Sequence, residues 1–184
     1  KVARRSSTAD LTLAYTYRQG EENVSGSFSY VSVVRPTARH LAECLLLITP
    51  GNRFRYKSRL MWQSVKETSG EAMSGGILQQ EVCGDFERPA VRATFGLILF
   101  NTEAYANGIY VYEPDLQGWT GNRTLYEEGT RAYFLVKAPM VKKIDISLKV
   151  SRVWFSNVAS TGSGTEETIG NARNEFRIQI CWKL

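Results

Sequence analysis

His40 is the only imidazole in the 184 residues, so any Ser–His–Asp or Cys–His arrangement would have to use it as base. Glu43 is close by in sequence, but no Gly-x-Ser-x-Gly elbow accompanies it. His40 therefore reads as a partly exposed polar residue, and no enzymatic activity is expected. Cys44, Cys83 and Cys181 are odd in number and lack CxxC spacing, which argues against a disulfide framework and a zinc site and suits a reducing compartment. The acidic pairs Glu21-Glu22, Glu127-Glu128 and Glu166-Glu167 fall in turn segments, where neighbours seldom converge as acid and base. Glu113 and Asp115 bracket Pro114 and offer oxygens to a hard cation. A full calcium shell takes about six to eight oxygens, so two carboxylates are part of a site at most. No cofactor is expected, calcium at a subunit interface being the single metal option.

Binding chemistry is better served. From Asn52 to Ser64, Arg53, Arg55, Lys57 and Arg59 alternate with Phe54, Tyr56, Leu60 and Trp62. Alternate side chains of a strand point to opposite faces, so four cations share one side. Their mutual repulsion makes a polyanion a natural partner, whereas the plain alternative is a solvated edge strand protected from aggregation by its charges. Residues 1–60 carry ten Lys or Arg against four acids, so the whole net charge of +5 comes from this third of the chain. Lys1, Arg4 and Arg5 add a second cluster. With no RNP-type aromatics and no helix-turn-helix, contact would be to phosphates and indifferent to sequence. An anionic membrane ranks second as an acidic partner. No apolar run approaches the roughly 18 residues of a membrane helix, so no membrane partner is expected. Trp119, in Leu-Gln-Gly-Trp-Thr-Gly-Asn-Arg, is the aromatic best placed to be exposed, as an interface anchor or a stacking platform.

The elements that must position these residues are strands. Leu11, Leu13, Tyr15 and Tyr17 alternate with polar residues, as do Val91–Leu99, Ile144–Trp154 and Phe176–Leu184. Arg131–Lys137 alternates less cleanly, Ile109–Tyr112 is a short β-prone run, and another strand is expected around Ser27–Val34. Pro36, followed by Ala38, Leu41, Ala42 and Leu45, predicts a short helix, although Cys44–Ile48 equally fits a buried strand. Thr49-Pro50-Gly51-Asn52 is a turn. Three long loops stand out, Thr68–Gly76, Pro114–Gly129 and Ser156–Asn174. Trp62, Trp154 and Trp182 sit on apolar strand positions and read as core. The sum is an all-β chain of about eight antiparallel strands with at most one or two short helices, for which an eight-stranded jelly-roll sandwich fits count and length. Residues 1–8 form a basic flexible arm and 9–184 a single jelly-roll shell domain.

A basic N-terminal arm, about eight strands with long loops and a final strand together resemble the jelly-roll coat proteins of small non-enveloped viruses, plant viruses in particular. The likeness is architectural and transfers no residue. It implies a capsid protein that assembles with copies of itself into a symmetric shell and packages viral nucleic acid, RNA ahead of DNA. It further implies a place in the virion, after assembly inside the host cell. On this reading Lys1, Arg4, Arg5, Arg53, Arg55, Lys57 and Arg59 meet nucleic acid and Trp119 meets a neighbouring subunit. The alternatives are a jelly-roll binding module for carbohydrate or protein, and a viral movement or nucleic-acid-binding accessory protein.

Overall fold

The computed structural model describes residues 1–6, 8–24, 33–67, 71–103, 107–141, 143–161 and 168–182. Among these, the chain is all-β. Its strands are β1 (Val2–Arg5), β2 (Ala9–Val24), β3 (Val33–Ile48), β4 (Phe54–Glu67), β5 (Ala72–Glu87), β6 (Ala90–Thr102), β7 (Ile109–Tyr112), β8 (Asn122–Leu125), β9 (Glu128–Val141), β10 (Ile144–Phe155), β11 (Ser160–Thr161), β12 (Thr168–Ile169) and β13 (Ala172–Trp182). Nine form one antiparallel sheet in the order β1-β2-β3-β4-β5-β6-β9-β10-β13, while β7–β8 and β11–β12 are separate hairpins. A jelly roll pairs strands distant in sequence through Greek-key connections. The order here is sequential, a meander in which each large strand lies beside the next one along the chain.

Two sequence expectations change. The short helix from Pro36 is absent, since β3 runs unbroken through it and pairs with β2 and β4. Two ladders outweigh a weak local helical preference, and β4 begins to pair only at Thr37, one residue past the proline. The arm is also partly ordered, because Val2–Arg5 pair with Leu13–Asp10 as an edge strand. The strand expected around Ser27–Val34 lies largely outside the described residues, as do residues 183–184. Gly51, at φ 76°, provides the left-handed corner of the β3–β4 turn.

The two ends of the sheet differ. Connections at 6–8, 49–53, 88–89 and 142–143 are short and share one end. Those at 25–32, 68–71, 103–127 and 156–171 share the other; the last two contain most of the loops read at Pro114–Gly129 and Ser156–Asn174, whereas the loop expected over Thr68–Gly76 is reduced to four residues because β5 already begins at Ala72.

The two faces differ more. Residues 107–127 of the connection 103–127 lie back over one face, seating Ile109, Val111 and Leu125 on Met61, Ile77, Ile98, Phe100, Tyr133 and Val153. This covered face carries the polar strand positions, and Gln79, Glu81, Arg131, Lys149 and Ser151 are buried there. Gly96 lies beneath the Tyr133 ring, where a Cβ would overlap it. The opposite face is bare. Leu11, Leu13, Tyr15, Tyr17, Leu60, Phe95, Phe134, Phe176, Ile178 and Ile180 are all exposed on it. Trp62, Trp154 and Trp182 are 49%, 37% and 73% exposed, so they are surface and not core. The alternation read from the sequence is right, and the assignment of inside and outside is reversed.

Candidate functional site

Of the seven cations expected to bind nucleic acid, the six whose side chains are described do not converge. Lys1 and Arg4 are exposed at the β1 edge, and Arg4 is in register with Leu11 on the bare face. Arg5 is on β1, and its side chain lies outside the described residues. On β4, three strands away in the sheet, the basic face is the covered one, because Lys57 is in register with Glu81 and Arg59 with Gln79. Lys57 Nζ lies 3.1 Å from Glu81, Arg59 Nε 2.7 Å from Glu43 and Arg53 2.8 Å from Glu87. Three of the four are therefore engaged by carboxylates of their own chain. Arg55 is exposed. His40 is on β3, not a helix, with Nδ1 2.7 Å from Tyr15 Oη and its ring 5.0 Å from that of Tyr17. These aromatics lie on the bare face.

The charge concentration that sequence reading missed is under the connection 103–127. Glu113 and Asp115 are buried, and each faces several cations. Arg131 Nε and Arg123 Nε approach Glu113 at 2.9 and 3.1 Å, with Lys149 Nζ 3.4 Å away. Lys149, Arg177 and Arg123 approach Asp115 at 3.0, 3.0 and 3.1 Å. Glu175 pairs closely with Arg177 and is 3.5 Å from both Arg123 and Arg131. Burial alone would raise the Asp115 pKa. The backbone N–H of Leu116, with Lys149 and Arg177, outweighs burial and holds the carboxyl below the usual range. The pair considered for calcium is thus surrounded by ammonium and guanidinium groups, and no group of metal-ligating residues occurs among the described residues. The period-two pattern had placed Lys149 and Arg177 on polar faces, and Arg131 in a less clean set with Tyr133 and Leu135, but only the fold shows that Glu113 and Asp115 reach all three.

Hydrogen bonds with the backbone of the connection extend the attachment to β4, β5, β9 and β13. Gln63 on β4 donates to Asn107 O at 3.0 Å, Gln79 on β5 to Tyr112 O at 3.1 Å, and Lys137 on β9 to Asp115 O at 2.9 Å. On β13, Gln179 donates to Gln117 O at 2.8 Å and accepts from Gln117 N at 3.0 Å. Trp119 lies on this connection, exposed, with the Arg177 guanidinium 4.2 Å from its ring centroid. It is therefore a clasp within the chain as well as an exposed ring.

The segment around Asp115 separates two cavities. One of about 480 Å³, toward the short turns, is lined by Asp85, Arg92, Lys137, Gln117 and Gln179 among others. The other, of about 430 Å³ toward the long connections, is lined by Arg123, Arg131, Arg173, Glu175, Arg177 and Phe155 among others. The class these features define is an antiparallel meander with a stoppered, charged face and a bare apolar one. No family model matches the chain, and no curated protein or solved structure is significantly similar to it.

Proposed function

We propose that this sheet is wall of a transmembrane β-barrel, with its bare face turned to lipid and the 103–127 connection stoppering the lumen. The observation that carries the reading is the inversion of the faces. Among the described residues, nineteen of the 23 exposed large hydrophobic side chains lie on the bare face. If each keeps about 100 Å² of the 150–250 Å² an aromatic can bury, the face exposes on the order of 1,900 Å². Water-soluble monomers tolerate patches of roughly 300–600 Å².

The apolar band is also oblique, as barrel strands require. Leu11 at its edge on β2 is in register, through the intervening pairs, with Asn174 on β13. On β13 the corresponding edge is Trp182, eight residues further along, after seven strand-to-strand steps. Holding that band level takes a strand tilt of about 38°, given about 3.3 Å per residue and about 4.8 Å between strands. Membrane barrels tilt by roughly 35–45°. At that tilt the apolar run Val91–Leu99 is about 21 Å tall, near the roughly 25 Å of a barrel's lipid-facing band. Turns of no more than five residues at one end, and at the other the long connections 103–127 and 156–171, with a polar lumen, complete the pattern. Among the described residues no helix is long and apolar enough to cross a membrane, but strands answer to a different criterion. Among the described residues the outer strands β1 and β13 each have one neighbour in the sheet, so a closed barrel needs strands beside them. Tyr110 and Tyr112, exposed on the far side of the β7–β8 hairpin, would face that remaining wall.

The jelly-roll shell reading drew on free cations and a sandwich. Pairing of Arg53, Lys57 and Arg59 within the chain weakens its first support, and the sequential strand order its second. Reconstitution into phosphatidylcholine vesicles brominated along the acyl chains separates the readings. Quenching of tryptophan emission is expected, from Trp62, Trp154 and Trp182. A protein that stays monodisperse without detergent and is unquenched would sink the barrel. Closed particles forming with RNA would restore the coat-protein reading, and a detergent-free dimer would support a face-to-face sandwich.

A further inference from the structure

We propose that the cavity toward the long connections binds a small organic anion, a carboxylate or phosphate group carried on an apolar body. Its basis is a charge imbalance. Among the described residues, the network beneath the connection holds four cations, Arg123, Arg131, Lys149 and Arg177, against three carboxylates, Glu113, Asp115 and Glu175. Arg131 and Lys149 side chains are 8% and 1% exposed, so bulk water does little to screen the surplus. Uncompensated charge in such a place is costly, and a bound anion relieves the cost. Arg173 adds a fifth cation at the cavity wall, where Glu175 is the one carboxylate among four guanidinium groups. Leu125, Val153 and Phe155 supply apolar wall, so the cavity has the few convergent polar groups and the apolar lining of a small-molecule site. At about 430 Å³ it accommodates a single ring bearing one charged group.

Phenyl phosphate, inorganic phosphate and phenol, titrated calorimetrically into the full chain, separate charge from apolar contact. Phenyl phosphate is expected to bind, inorganic phosphate at least fivefold more weakly, and phenol without detectable heat. Arg173→Ala, at an exposed position outside the ion-pair network, should weaken phenyl phosphate at least fivefold. Arg152→Ala, which removes the same charge from the bare face, should leave it unchanged. Absence of phenyl phosphate binding, equal binding of phenol, or equal losses in Arg173→Ala and Arg152→Ala would each overturn the site. The titration runs in buffer or in detergent, so its failure leaves the membrane reading standing, and failure of vesicle insertion leaves the anion site testable.

Discussion

Asp115 and Arg177, 62 residues apart in sequence, meet with Oδ2 3.0 Å from Nη1 and so tie the 103–127 connection to the last strand of the sheet. Asp115 also holds Lys149 on β10 and Arg123 on β8, so one carboxylate anchors three elements. Removing one partner of a buried pair costs far more than the pair contributes in net stability, because the charge left behind has lost both water and its counterion.

Asp115→Ala should therefore destabilise the chain by about 3–5 kcal/mol. The loss should fall on the connection before the sheet, since the nine-stranded ladder does not include it. Urea unfolding gives the magnitude, and faster tryptic cleavage after Arg123 with unchanged far-ultraviolet dichroism locates it. Unchanged cleavage would show that the uncharged contacts to Gln63, Gln79 and Gln179 suffice.

The same carboxyl sets an acid limit. Its pKa in the folded chain is below the ordinary 3.8, so ionised Asp115 favours the folded state fully above about pH 4. As pH falls below 4 and through the folded value, that contribution disappears. Trp119, stacked on Arg177, should report the release as a change in emission below pH 4, and Asp115→Asn should show the altered signal already at neutral pH.

Position on the bare face should grade the cost of a charge. Phe95→Arg, in the middle of the band, should cost about 2–4 kcal/mol in vesicles or detergent, and Tyr17→Arg, at its edge, about 0–1 kcal/mol. Reversible urea titrations of the two variants give the comparison. Equal, near-zero costs at both positions would place the face in water.

The basic strand should act on stability and not on nucleic-acid affinity. Lys57→Ala leaves Glu81, buried, with Tyr133 Oη at 2.6 Å as its remaining partner, and should cost about 3 kcal/mol. Arg53→Ala, whose side chain is 62% exposed, should stay within about 0.5 kcal/mol. Thermal or urea unfolding of the two variants decides. A small cost for Lys57→Ala with a flattened salt dependence of RNA binding would favour the packaging reading of the sequence.

Much of this molecule is legible from its residues. The alternation of Leu11–Tyr17, Val91–Leu99, Ile144–Trp154 and Phe176–Trp182 identifies real strands, the Thr49–Asn52 turn is in place, and long connections fall at 103–127 and 156–171, whereas most of the loop expected over Thr68–Gly76 is strand. Pro36–Leu45 misled because helical spacing over ten residues is a weaker preference than two ladders of backbone hydrogen bonds. Glu113 and Asp115 could be read as an acidic pair but not as the centre of a network, because their partners are on β8, β9, β10 and β13.

Period-two patterning by itself determined which side chains stand together on each strand and how the two sets differ in polarity. It could not say which set faces inward, because alternation is unchanged when inside and outside are exchanged. The tertiary structure decided that by laying the 103–127 connection on the polar set, where carboxylates from the loop neutralise arginines and a lysine that the strands had brought side by side. The apolar set was thereby left for another medium, and a hydrophobic pattern that reads as core became the outer surface.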